Sequence, residues 1–75
     1  MNKYDEAIVC FDKAIEINDK YTNSYYNKAL ILFELKKYNE SIEVINMHLK
    51  IDDKNSNSYY YKGLSLFELK NMMKH

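Results

Sequence analysis

Apolar and polar positions recur along this chain at helical spacing. Between residues 3 and 17, Tyr4, Ala7, Ile8, Phe11, Ala14 and Ile15 follow one another at steps of three, one, three, three and one. That is a single stripe on a helix, with Asp5, Glu6, Asp12, Lys13 and Glu16 falling mostly off it. Asn18-Asp19-Lys20 then supplies turn chemistry, and Thr22 or Asn23 is placed to cap a second helix. From Ser24 to Lys36 the apolar residues fill three rows: Tyr25, Ala29 and Leu32; Tyr26, Leu30 and Phe33; Ile31 and Leu35. A helix apolar over so much of its surface needs neighbours on several sides. Lys36-Lys37 reads as a tight turn. A third helix is predicted from Tyr38 or Asn39 to about Ile51, its stripe carried by Ile42, Ile45 and Leu49 with Val44 and Met47 beside it. Asp52 to Ser56 repeats the turn chemistry, and a fourth helix spans Asn57 to Lys70. Asn71 to His75 carry no pattern and are expected to fray. Nothing reads as a strand.

The fourth helix is a second copy of the second. Asn23 to Lys36 reads NSYYNKALILFELK, and Asn57 to Lys70 reads NSYYYKGLSLFELK, 34 residues later. Lys3-Tyr4 recurs as Lys37-Tyr38, Glu6 as Glu40, Ile8 as Ile42, and Asp19-Lys20 as Asp53-Lys54. Of the 41 pairs available at this offset, 18 are identical, which is too many for chance and marks stacked repeats.

These residues resemble tetratricopeptide repeats, whose helix-turn-helix unit has the same period. Tyr25-Tyr26-Asn27-Lys28-Ala29-Leu30 is similar to the family's inner helix, with Tyr25 and Tyr59 at its aromatic site and Ala29 and Gly63 at its small site. Tyr4-Asp5-Glu6-Ala7-Ile8 and Tyr38-Asn39-Glu40-Ser41-Ile42 resemble the opening of its outer helix, and Lys13-Ala14-Ile15-Glu16-Ile17 resembles its close. The resemblance implies an all-α fold of antiparallel helix pairs stacked as a segment of a right-handed α-solenoid, about four helices in one domain over 1–75. Residues 3–17 would be the outer helix of a partial repeat, 22–54 one full repeat, 56–70 the inner helix of another partial repeat, and 71–75 a tail. Three departures stand out. Asp19 and Asp53 replace the usual proline, and Lys36 and Lys70 the usual turn glycine. A left-handed Lys36 costs on the order of 1 kcal/mol relative to glycine. His48 stands where the family prefers alanine, so local loosening or an altered neighbour is expected there.

Composition narrows the chemistry. The chain is 75 residues long, 47% hydrophobic and 29% charged, with eight of its eleven aromatics tyrosine. That suits one folded domain with a small core. Eleven basic residues balance eleven acidic ones, so nothing electrostatic points to nucleic acid or an anionic membrane. The longest apolar run, Ala29 to Phe33, is too short to span a bilayer, and charge interrupts the first residues before a signal peptide could build. Cys10 is the only cysteine, which excludes an intrachain disulfide and suits a reducing cytoplasm. It reads as a small core hydrophobe. No Cys/His pair has zinc spacing, and Asp52-Asp53 lacks the alternating oxygens and glycine of a calcium loop. No metal or other cofactor is expected. Cys10 and His48 fall on different helices with no third organising group, so catalysis has little support.

The resemblance also implies a groove lined by the inner helices. Asn23, Tyr26, Leu30 and Phe33 would face it with their copies Asn57, Tyr60, Leu64 and Phe67, flanked by Asn27, Tyr61, Glu34 and Glu68. Tyrosine suits a binding surface, because a large rigid ring carries a polar tip. The competing reading is that these rings simply pack between repeats. Asn27 matches an asparagine that some family members use to hold a peptide's terminal carboxylate. Asn57 and Tyr61 stand where a cation would be needed, so the charge-assisted bonds are missing. An amphipathic helix or extended segment with basic character fits better.

The first functional expectation is a non-catalytic module that binds a protein or peptide in this groove. The alternative is a self-assembling unit, a homo-oligomer or a piece of a longer array, joined through end helices that each lack a neighbour. An enzyme would require an activity that His48→Ala removes.

Overall fold

The computed structural model describes residues 3–73. They form four helices: α1 (Lys3–Ile17), α2 (Thr22–Glu34), α3 (Tyr38–Ile51) and α4 (Ser56–Met73), with no strand among the described residues. Each helix packs on the next, and α2 also touches α4. The fold is an all-α helical repeat, flattened to 41 × 35 × 14 Å.

So thin a body has a small core, and that core lies between α2 and α3. Tyr25, Ala29 and Leu32 of α2 pack against Val44 and Ile45 of α3, with Ile8, Ile15, Leu49 and Tyr61 around them. The first of the three apolar rows on α2 is therefore the buried one. Helix α1 has no buried residue, and the only buried residues of α4 are Ser58 and Ser65. Cys10 is exposed, contrary to its reading as a core hydrophobe. Its counterpart Val44 is buried in the cluster that α3 forms with α2, whereas α1 packs only on α2 among the described residues.

The turns repeat atom by atom. The Lys20 N–H donates to Asn18 Oδ1 at 3.1 Å, and the Lys54 N–H to Asp52 Oδ1 at 3.2 Å. The Tyr25 hydroxyl donates to the Asp19 carbonyl at 2.8 Å, and the Tyr59 hydroxyl to the Asp53 carbonyl at 3.0 Å. These bonds tie each inner helix to the loop before it. The expected side-chain cap by Thr22 or Asn23 does not form: Tyr21 occupies the cap position without a side-chain bond. The second copy is capped instead by Asn55, whose Oδ1 accepts from the Ser58 N–H at 3.0 Å. Tyrosine at position 21 has no short acceptor to offer, whereas asparagine at 55 does.

Helix α2 ends in a Schellman motif. The Lys37 N–H reaches back to the Leu32 carbonyl at 2.8 Å and the Lys36 N–H to the Phe33 carbonyl at 2.9 Å, with Lys36 left-handed at φ 63°. Lysine thus takes the conformation that usually calls for glycine. Helix α4 does not turn at the matching Lys70 but runs on to Met73, three residues past its expected end. After Lys36 the buried Tyr38 packs its ring on Phe33 at 5.3 Å and draws the chain back. The second copy has Met72 at that place, and methionine favours helix. The expected fraying of Lys74 and His75 lies outside the described residues.

Candidate peptide-binding face

The face shared by α2 and α4 carries a network of aromatic rings in edge-to-face contact. Tyr61 sits at its centre, touching Tyr26 at 6.2 Å, Phe33 at 5.7 Å and Tyr60 at 5.4 Å between ring centroids. Such contacts contribute on the order of 0.5–1.5 kcal/mol each beyond area burial. Tyr61 is one of the three positions where the two inner-helix copies differ, standing where the first copy has Asn27. The substitution puts a ring where α4 meets α2. Spacing alone placed Tyr61 at the flank of the site, and the Asn-to-Tyr difference was the available signal of its central position.

Identical residues in the two copies have different exposures. On α2, Tyr26, Asn27, Leu30 and Phe33 are half-buried and Asn23 is exposed. On α4, Tyr60 and Phe67 are 63% and 59% exposed, Asn57 is exposed, and Tyr61 and Leu64 are half-buried. Tyr61 covers part of Tyr26 and Phe33, whereas among the described residues no helix covers Tyr60 and Phe67. Glu34 is exposed and Glu68 half-buried, so the surface is aromatic with an acidic margin. Desolvation by burial, and secondarily the nearby Tyr61, raise the pKa of the Tyr26 hydroxyl above its ordinary 10.0, which keeps it a neutral hydrogen-bonding group.

His48 lies behind this network. It is 1% exposed, its ring meets Tyr26 edge-on at 6.2 Å, and neither ring nitrogen has a hydrogen-bond partner. The ring it meets is that of Tyr26, and α3 continues through His48 without a break. Ser58 and Ser65 on α4 likewise bury hydroxyls with no partner. Cys10 is exposed on α1 while His48 is buried on α3. No group of three His, Cys, Asp or Glu side chains suitable for a metal occurs among the described residues. No described helix is long and apolar enough to cross a membrane.

A cleft of about 430 Å³ lies elsewhere, between α1, α2 and α3, lined by Ile8, Val9, Leu32 and Val44 with Lys28 and Glu43 at its edge. It is shallow, whereas small-molecule sites enclose most of their ligand. Open ring-bearing faces are better matched to an extended or helical segment.

Helices paired in a repeating register, with aromatics displayed along one face, define a helical-repeat protein of the tetratricopeptide type. The chain matches the family model of anaphase-promoting complex, cyclosome, subunit 3 over residues 1–74, and it belongs to that family. The family is of the tetratricopeptide-repeat type, which in general mediates contacts between proteins and is not catalytic. No curated protein and no solved structure matches the chain.

Proposed function

We propose that this chain is a non-catalytic protein-interaction module that holds a peptide or helical segment along the α2–α4 face. The observation that supports this most directly is the exposure of Tyr60 and Phe67 beside a ring network that is already packed. Tyr60, packed on Tyr61, loses little freedom on binding, and each buried ring contributes about 1.5–3 kcal/mol. Two such anchors together contribute about 3–6 kcal/mol, which suits weak affinities, millimolar to tens of micromolar, rather than tight ones. The ligand is an amphipathic segment that sets apolar residues on Leu64 and Phe67 and basic residues near Glu34 and Glu68. Asn23, Asn27 and Asn57 would hydrogen-bond its backbone. No cofactor, nucleic acid or membrane takes part, and a lone thiol at Cys10 suits a cytoplasmic setting.

The test is selection of displayed amphipathic peptides on the purified chain, followed by NMR mapping of the best binder. Tyr60→Ala and Phe67→Ala should each weaken it about tenfold; Phe67→Ala should leave the melting temperature unchanged, whereas Tyr60→Ala also loses the ring contact with Tyr61 and lowers it slightly. Binders indifferent to the double variant, or shifts confined to α1 and α3, would sink the proposal. A second reading, self-assembly through the end helices, is supported by the exposure of Tyr59 and Leu66 on α4. It uses a different row of α4 and is separable by mutation.

A further inference from the structure

The seam between α2 and α3 shows how an outer helix seats on an inner one in this protein. Tyr25, Ala29 and Leu32 are 5%, 1% and 5% exposed beneath α3. At its centre the Ser41 hydroxyl donates to the Ala29 carbonyl at 2.9 Å, an approach open only to small residues.

The same row exists a second time, uncovered. On α4 it reads Tyr59, Gly63 and Leu66, with Tyr59 52% and Leu66 51% exposed. A Cβ added at Gly63 would meet nothing within 4 Å. The small site expected from the sequence is therefore present without the close approach that would require it. Yet the first residue of the row is held as in the seam: Tyr59 bonds the Asp53 carbonyl just as Tyr25 bonds that of Asp19. The complementary half is incompletely covered too. Helix α1 is the 34-residue counterpart of α3, with Ala7, Cys10 and Phe11 standing where α3 has the buried Ser41, Val44 and Ile45. None of the three is buried.

We propose that copies of this chain stack head to tail, with α1 of one copy seated on the Tyr59–Gly63–Leu66 row of α4 in the next. The register is that of the α2–α3 seam, and Ala7 lies over Gly63. This inference rests on the self-assembly reading and deepens it by naming the two surfaces and their alignment. It does not depend on the peptide-binding face, which uses the Tyr60 and Phe67 row. Because the two surfaces differ, the contact is heterologous, and each addition leaves a free α1 at one end and a free α4 row at the other.

The experiment is sedimentation of the full 75-residue chain from low micromolar to millimolar concentration, with helicity followed by circular dichroism and Cys10 alkylation rates measured in parallel. The expected results are concentration-dependent stacks and a slower-reacting Cys10 at high concentration. Gly63→Ala should stack as well as the parent, since Ala29 fits the internal seam. Gly63→Arg should weaken stacking by about tenfold or more at unchanged helicity, because the isolated chain has open space there. Ala7→Ser, which restores the Ser41 hydroxyl, should strengthen it. Leu66→Glu serves as a second blocking variant. A monomer at every concentration would overturn both the register and the self-assembly reading, leaving the row for a different helix. Association that Gly63→Arg, Leu66→Glu and Ala7→Ser do not change would overturn the register alone.

Discussion

Ser41 and Ala29 are joined across the α2–α3 seam by a 2.9 Å hydrogen bond from the serine hydroxyl to the alanine carbonyl. Both are essentially inaccessible to solvent. The bond exists because the residue opposite Ser41 ends at its Cβ. Ser41→Ala should cost about 0.5–1.5 kcal/mol, the net value of one such bond. Ala29→Leu should cost more, about 1–3 kcal/mol, since the added atoms have nowhere to go. Urea titrations of the two variants check both figures, and a fully stable Ala29→Leu would refute the close approach.

His48 should weaken the fold it sits in. Its ring nitrogens are buried without partners, and an unsatisfied buried polar group costs about 1–3 kcal/mol. His48→Met, of similar size and without the polar atoms, should raise stability by about 1 kcal/mol or more. His48→Ala should lower it despite removing the same nitrogens, because it leaves a cavity beside Tyr26. Thermal melts of the pair separate polarity from packing.

Lys36 and Lys70 occupy the same place in the repeat but should respond oppositely to glycine. Lys36 is left-handed at φ 63°, so Lys36→Gly should gain about 1 kcal/mol. Lys70 lies inside α4, so Lys70→Gly should lose about 1 kcal/mol. Chemical denaturation of both variants provides the comparison. Equal signs would contradict the backbone difference between the copies.

Tyr26 predicts how stability changes in alkali. Its folded-state pKa is raised above the ordinary 10.0, first by burial and then by Tyr61. The unfolded chain therefore releases this proton at lower pH than the folded one. The contribution of Tyr26 is fully present below pH 10.0 and is lost as pH rises through the higher folded value. Tyr26→Phe should flatten that part of the alkaline decline relative to the parent, as measured by urea titrations at stepped pH. Parallel declines in the two proteins would show that burial of Tyr26 does not matter.

Much of the fold was legible because its signals are short-range. The 3–17 stripe, the 34-residue echo and the Asn/Asp turns each involve residues a few positions apart, and helix boundaries follow from them. Capping failed at Tyr21, where a single residue with no short acceptor took the position, and α4 outran Lys70 because no buried aromatic follows it. The aromatic face was legible as a row but not as a network. Only packing shows that Tyr61 links Tyr26, Phe33 and Tyr60. The exposure of Cys10 was not legible at all, since its spacing is that of a core residue and its exposure depends on which helices pack against α1.

By itself the sequence determined four helices, their period, their turns and the kinship of their two inner copies, because local spacing and short-range bonds suffice for these. Tertiary structure alone decided which member of each identical pair is covered: Tyr25 and Leu32 are buried while Tyr59 and Leu66 are exposed. The residues are the same, and Tyr59 makes the same local bond as Tyr25. Burial belongs to the neighbour: among the described residues α2 packs between α1 and α3, whereas α4 packs on α3 and touches α2.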